Sequence, residues 1–200
     1  NDFDVCSSEV ILQRMRVENG RIVLPDGMSY AALVLPEQDH IPPEVIRKIR
    51  ALVADGATVI GHQRPARAPG RRSSEQENQQ VQQLVKALWG AGQPGGPAVQ
   101  VRSMGRGRFV IASNRTKALR EIGVGPDFEI AGRGEPDLGP LDFVHRKTRD
   151  DEFYFIRNKT QEPQALTCRF RVAPEANGQT PEFWWPDSGR RSVCRGWKAV

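Results

Sequence analysis

Residues 41–61 read IPPEVIRKIRALVADGATVIG, and this stretch decides the fold. Pro42 and Pro43 suit the first turn of a helix, where the missing N–H is an orphan in any case. Val45, Ile46, Ile49, Leu52 and Val53 then recur at three- and four-residue spacing, an apolar stripe on one helical face, until Gly56 stops the pattern. Ala57-Thr58-Val59-Ile60-Gly61 follows as a short buried strand. Upstream, Tyr30-Ala31-Ala32-Leu33-Val34-Leu35-Pro36 is apolar on both faces, which predicts a central strand covered on both sides. Strand, helix, strand is a βαβ unit, and its spacing predicts a parallel sheet.

Working outward, Ser8–Met15 reads as a short helix capped by Ser7 or Ser8. Asn19-Gly20, between the alternating segments Arg16–Glu18 and Arg21–Val23, predicts a hairpin, because that dipeptide accepts the positive φ angles of a type I′ turn. Beyond the strand at 57–61, a Pro- and Arg-rich loop (His62–Arg72) leads to the cap Ser73-Ser74-Glu75. A helix with the buried stripe Val81, Leu84, Val85 and Leu88 then runs to Gly90. Val99–Arg102 and Arg108–Ala112 read as strands joined around Gly105-Arg106-Gly107, and Asn114–Ile122 as a helix. The α/β pattern ends near Phe128, and Glu129–Pro140, with three Gly and two Pro, reads as a linker. After it, Leu141–His145, Glu152–Asn158 and Leu166–Val172 alternate with period two and no helical period intervenes, so antiparallel strands are expected. Glu182–Trp185 is a candidate fourth strand, and such a run suggests a small β-sandwich, incomplete in this chain.

The composition of the 200 residues sets the outer bounds. Lys and Arg number 29 against 24 Asp and Glu, a net charge of +5 spread along the chain without blocks, which gives little reason to expect an anionic partner. No apolar run approaches the roughly 18 residues of a membrane span, so no membrane partner is expected. The opening Asn-Asp-Phe-Asp, without Met or a basic-then-apolar leader, reads as a chain begun mid-protein or processed. The three Cys lack metal-like spacing; Cys168 and Cys194 can be read either as a disulfide in an exported chain or as buried free thiols.

Few constellations rise above ordinary structure. No Cys occurs between Cys6 and Cys168, so the α/β part lacks a thiol nucleophile at a strand end. His62 near Arg64 and Arg67 reads as a solvated loop histidine. Gly105-Arg106-Gly107 lacks the strand, loop and helix context of a phosphate cradle and reads as a turn. Arg64, Arg67, Arg71 and Arg72 have no interleaved aromatics and no recognition helix, so nucleic acid is not an expected partner. His40, His62 and His145 lie far apart without paired spacing; no metal site and no cofactor is expected. Asp142, Asp150, Asp151 and Glu152 supply carboxylates of the kind a glycosidase sets across a bond, but Asp150-Asp151 is also ordinary hairpin-turn chemistry. Trp184 and Trp185 would point to opposite faces of an extended segment, one packed and one available to a sugar or a neighbouring domain.

Taken together, GRIVLPDGMSYAALVLPE (20–37), IPPEVIRKIRALVADGATVIG (41–61), LVKALWG (84–90), GVGPDFE (123–129) and LDFVHRKTRDDEFYFIRNKT (141–160) resemble the C-terminal half of glycoside hydrolases of family 106, the α-L-rhamnosidase-like type. The resemblance covers most of Asp4–Thr160 and fades beyond about Glu175; at Trp185-Pro186-Asp187 the chain departs from the more usual Trp-Asp-Pro. It implies a flavodoxin-like or class I glutamine amidotransferase-like α/β domain over residues 1–135. A β-sandwich domain would follow over 136–200, with a catalytic (β/α)-barrel elsewhere in the same polypeptide. The acid and base carboxylates would sit on that barrel, so no catalytic residue is assigned to this chain.

The role expected from this is a non-catalytic accessory region of a glycosidase, with the barrel and the parent enzyme's carbohydrate substrate as its partners. The alternative is a carbohydrate-binding or assembly module. His145, Arg146, Trp184 and Trp185 are the candidate substrate contacts, His145 and Arg146 because they lie just past the linker, where clefts between domains form. An amidotransferase-like enzyme ranks third, because the strand edges offer no Cys.

Overall fold

The computed structural model describes residues 3–70, 73–90, 99–133, 138–148, 151–173 and 179–199. The chain divides into two compact units, one spanning Asp4–Gly125 and the other formed by Asn1–Phe3 together with the residues from Pro126 onward.

In the Asp4–Gly125 unit, α1 (Ser8–Gln13) precedes the strands β1 (Arg16–Glu18), β2 (Arg21–Val23), β3 (Ser29–Tyr30) and β4 (Leu33–Val34). Then come α2 (Pro43–Asp55), β5 (Thr58–Gly61), α3 (Glu75–Trp89), β6 (Val99–Met104), β7 (Gly107–Ala112) and α4 (Arg115–Glu121). The Asn19-Gly20 turn forms as expected, with positive φ at both residues, and β1, β2 and β3 make a small antiparallel sheet. A second sheet has the order β4-β5-β7-β6. Strand β5, one of its two inner strands, is buried at every residue. Val59 and Phe109 face a core shared with α1, α2 and α3, while Ile60 and Val110 face a smaller core under α4. Their registers, Val59 opposite Phe109 and Ile60 opposite Val110, put successive residues on opposite faces of one buried pair of strands.

The expected flavodoxin-like core, a parallel α/β sheet, is not what forms. Among the described residues two strand pairings are parallel, β4 with β5 and β5 with β7, and the other six are antiparallel. The architecture is β-rich, made mostly of small antiparallel sheets with few helices. Two features explain the difference. The 30–36 segment does not make a central strand: it is split into β3 and β4, which join different sheets, and β4 lies at the edge of its sheet with Val34 exposed. And β6 doubles straight back into β7 as a hairpin, so the place where a doubly wound fold would add another parallel strand is taken by an antiparallel one.

That hairpin's turn has a packing role. Arg106 N–H donates to Ala54 O at 3.0 Å and Arg108 N–H to Ala57 O at 3.1 Å, so the turn meets carbonyls at the end of α2 and just past it, groups that a helix terminus otherwise leaves open. The backbones approach so closely that a Cβ on Gly107 would lie 2.2 Å from Val53 O, and one on Gly105, whose φ is +59°, 2.3 Å from Ala54 O. The glycines of Gly105-Arg106-Gly107 therefore serve helix packing, in line with a turn and not a phosphate cradle.

The unit from Pro126 onward contains β8 (Phe128–Ile130), β9 (Leu141–Lys147), β10 (Glu152–Asn158), β11 (Cys168–Phe170), β12 (Glu182–Trp184) and β13 (Arg191–Val193). They pair antiparallel as β8 with β11, β9 with β10, and β12 with β13. The antiparallel strands expected at 141–145 and 152–158 are present. The segment expected over 166–172 contributes three strand residues, and β8 occupies part of the stretch read as linker. The β8–β11 and β9–β10 ladders share a small core of Phe128, Ile130 and Leu141, against which Phe143, Tyr154 and Cys168 pack. With two-stranded ladders and so small a core, this is only loosely a β-sandwich. Cys168 and Cys194 are free thiols.

Candidate functional site

Strand β9 sets out a concentrated polar cluster among the described residues. Alternation puts Leu141, Phe143 and His145 on the inward face, and the register places His145 opposite Tyr154 of β10. The two rings stack with centroids 4.2 Å apart and planes 8° from parallel. His145 Nε2 lies 2.9 Å from Glu152 Oε2 and Nδ1 lies 3.7 Å from Asp127 Oδ2. Both carboxylates are buried, with side-chain exposures of 3% for Asp127 and 7% for Glu152.

Each carboxylate has further partners. Glu152 Oε1 accepts from Ala173 N–H at 2.7 Å and faces Lys147 Nζ at 3.6 Å. Asp127 Oδ1 is paired with the Arg171 guanidinium, and the Asp127 carbonyl accepts from Arg171 N–H at 2.8 Å. Tyr154 donates its hydroxyl to Arg171 O at 2.5 Å. Burial alone would raise the Glu152 carboxyl; hydrogen bonds from Ala173 and His145, with the Lys147 charge, outweigh it and leave the group lowered. Burial likewise opposes ionisation of Asp127, yet the Arg171 pair helps hold that carboxyl below its usual range. The Tyr154 phenol is pushed well up by burial and by the Asp127 and Glu152 charges. The chemistry of this cluster is therefore that of fixed charges: two ionised carboxylates, both engaged by cations and N–H donors.

The structure divides the four residues singled out by sequence. His145 is inward and its side chain is 14% exposed, so it is no surface histidine. Arg146 is on the opposite face, exposed, and donates to His145 O at 2.9 Å. On that outer face Phe153 is the register partner of Arg146, and its ring lies 5.9 Å from Trp184 in an edge-to-face contact. Trp184 is 52% exposed, but the Arg191 guanidinium sits over its ring at 3.9 Å, and Arg190 sits over Trp185 at 4.2 Å. Arg146 and Phe153 thus share the outer face of the hairpin, with Trp184 against Phe153, while His145 belongs to a separate, buried cluster.

Among the other candidates, His62 Nδ1–H donates to Ala112 O at 2.8 Å, a structural tie. Arg64 donates to Trp89 O and Arg67 pairs with Asp39, so both pin their loop; Arg71 and Arg72 lie outside the described residues. Asp151 N–H donates to Thr148 Oγ1 at 3.0 Å in the turn between β9 and β10, and Asp150 lies outside the described residues. Asp142 is held by Arg157 and Lys159 on the surface. No group of three or more His, Cys, Asp or Glu among the described residues is placed to hold a metal ion. No helix among them is long and apolar enough to cross a membrane.

Sequence reasoning missed Asp127, Tyr154 and Arg171 as members of the cluster. One signal was available: Leu141 and Phe143 are apolar at alternate positions, so His145 had to follow them inward.

Comparison with known proteins now gives this arrangement its setting. The chain is related to glycosidases, and the family model for alpha-L-rhamnosidase matches residues 1–195. It belongs to glycoside hydrolase family 106. A curated Formosa agariphila protein named "Putative beta-glucuronidase" is 34% identical over 188 residues, an alignment covering 94% of this chain and 14% of that protein. The solved rhamnosidase from Novosphingobium sp. PP1Y matches with a TM-score of 0.73 and 29% identity, over 92% of this chain and 16% of the rhamnosidase. These homologues are much larger proteins, and the chain spans about one-sixth of their length or less.

Proposed function

We propose that this chain is a non-catalytic accessory portion of a larger glycoside hydrolase that cleaves rhamnosidic bonds, with the catalytic carboxylates on a barrel elsewhere in the same polypeptide. The observation that carries this reading is the condition of Asp127 and Glu152. Glycoside hydrolysis needs one carboxyl group that keeps its proton to protonate the leaving oxygen and one ionised group free to attack or to activate water. Asp127 and Glu152 are both lowered, buried and engaged by partners, so neither suits the acid role nor stands open to a sugar. The small share of the matched rhamnosidase that this chain covers supports the same reading.

The test is turnover of an aryl α-L-rhamnoside by the purified 200-residue chain. Hydrolysis indistinguishable from buffer is expected. Cleavage far above buffer that disappears in Glu152→Gln, while a mock preparation stays silent, would overturn the proposal.

The half-exposed Trp184 favours a second reading, a carbohydrate-binding module. It ranks lower because a sugar stacking on the guanidinium-covered face of Trp184 or Trp185 would have to displace Arg191 or Arg190. Calorimetric binding of a rhamnose-containing oligosaccharide that vanishes in the double variant Trp184→Ala, Trp185→Ala would reverse that ranking.

A further inference from the structure

Strand β10 is apolar on both faces at its middle, where Phe153, Tyr154, Phe155 and Ile156 follow one another. Pairing with β9 sorts them. Tyr154 turns inward, opposite His145, while the other face carries Phe153 opposite Arg146, Phe155 opposite Val144 and Arg157 opposite Asp142. An antiparallel ladder with one face in water ordinarily alternates apolar inward and polar outward. This one breaks the rule at Val144, Phe153 and Phe155, which are 42%, 40% and 57% exposed.

The β12–β13 hairpin adds to the same surface. Trp184 touches Phe153 edge to face, and Val193, 55% exposed, lies on the Trp184 side of its ladder. All six residues of that ladder are exposed, and a lone two-stranded hairpin is marginal in water. Single exposed apolar side chains are ordinary; a run of them joined across two hairpins marks a surface meant to be covered.

The charges at its border favour one kind of occupant. The carboxylates are engaged within the chain, Asp142 by Arg157 and Lys159 and Glu182 by the Trp184 indole N–H at 2.9 Å. Arg146 and Arg191 border the aromatic rings, so a second copy laid on this face about a two-fold axis would bring like charges together. The family match runs past β13, and the matched homologues are long enough to supply a covering segment of their own.

We infer that Val144, Phe153, Phe155, Trp184 and Val193 form the docking face for a segment of the same polypeptide outside these 200 residues, an apolar segment with carboxylates at its edges that meet Arg146 and Arg191. The inference rests on the accessory reading above and adds to it the surface by which this portion is held.

The test is made in the parent polypeptide expressed from its complete gene, with benzoylphenylalanine in place of Phe155 and isotope-mixed copies to tell links within a chain from links between copies. Irradiation should join position 155 to a peptide outside the 200 residues. Hydroxyl-radical labelling of the wild-type Phe155 should run at less than about a tenth of its intrinsic rate, because the core of an interface excludes water. A link between copies, a link confined to the 200 residues, or labelling near the rate that 57% exposure allows overturns the inference. So does protection that arises only with an added rhamnose-containing oligosaccharide. Phe155→Thr gives a check without a cross-link: it should lower the melting midpoint of the parent and leave that of the 200-residue chain unchanged, as for other surface substitutions. Equal shifts in both would make Phe155 an ordinary packing residue and overturn the docking face. The two readings fail separately. Turnover by the 200-residue chain overturns the accessory role, whereas a missing link in a parent whose 200-residue portion is silent overturns the docking face alone.

Discussion

Single residues carry the argument about chemistry. Asp127 is 3% exposed and answers to Arg171, 44 positions later. Asp127→Asn should destabilise the unit from Pro126 onward by about 1–3 kcal/mol in urea unfolding, since it weakens a buried charge-assisted contact while Arg171 retains access to water. Gly61 makes a contrasting point in the other unit. A Cβ there would lie 2.7 Å from Phe109 Cζ and 2.8 Å from Trp89 Cζ2, so Gly61→Ala should overpack the core and cost about 1–3 kcal/mol, read as a lower unfolding midpoint of the Asp4–Gly125 unit. How much of this could be read beforehand depended on range. The inward turn of His145 follows from its neighbours Leu141 and Phe143, a local pattern. The pairing of Asp127 with Arg171 leaves no trace in either segment's periodicity, because it arises only when β8 and β11 are laid side by side.

At the scale of elements, helices were the most legible because their caps and stripes are local. Helix α2 begins and ends where its prolines and Gly56 place it, and α3 carries a capping box between Ser74 and Glu77. Helix α4 has seven residues, too few to be stable without help, and Asn114 accepts from Lys117 N–H at 3.0 Å to start it. Asn114→Ala should cost about 1 kcal/mol, detectable as faster amide exchange in α4 and over the small core beneath it. Strand segments were legible as strands but not in their partners. An apolar stretch such as 30–36 is compatible with a central parallel strand, and only the pairing of β3 with β2 and of β4 with β5 divides it between two sheets. The flavodoxin-like expectation came from the family resemblance: the β4-α2-β5 unit does form, but β6 and β7 pair antiparallel beside it, as the short Gly105-Arg106-Gly107 connection between them requires.

For the molecule as a whole, titration offers the broadest check. Asp127 and Glu152 have carboxyls lowered by folding, so their contribution is present above the ordinary carboxylate range of about 4 and is lost as pH falls through the lowered values. Tyr154 acts at the other end: its phenol is raised, so its contribution is intact below the ordinary value of about 10 and is lost as pH climbs toward the folded one. All three groups belong to the unit from Pro126 onward, whose stability should therefore form a plateau bounded by acid and by alkali; a profile that keeps rising through either limit would contradict the assignment. Indole placement makes the two units separately visible. Trp89, 2% exposed against Phe109, is the one tryptophan in the sequence of Asp4–Gly125, whereas Trp184, Trp185 and Trp197 all lie beyond Pro126. Removing the three later indoles would leave an emission signal belonging to the first unit alone, and Trp89→Phe would leave one belonging to the second, so a single fluorimeter could follow the melting of each half in turn.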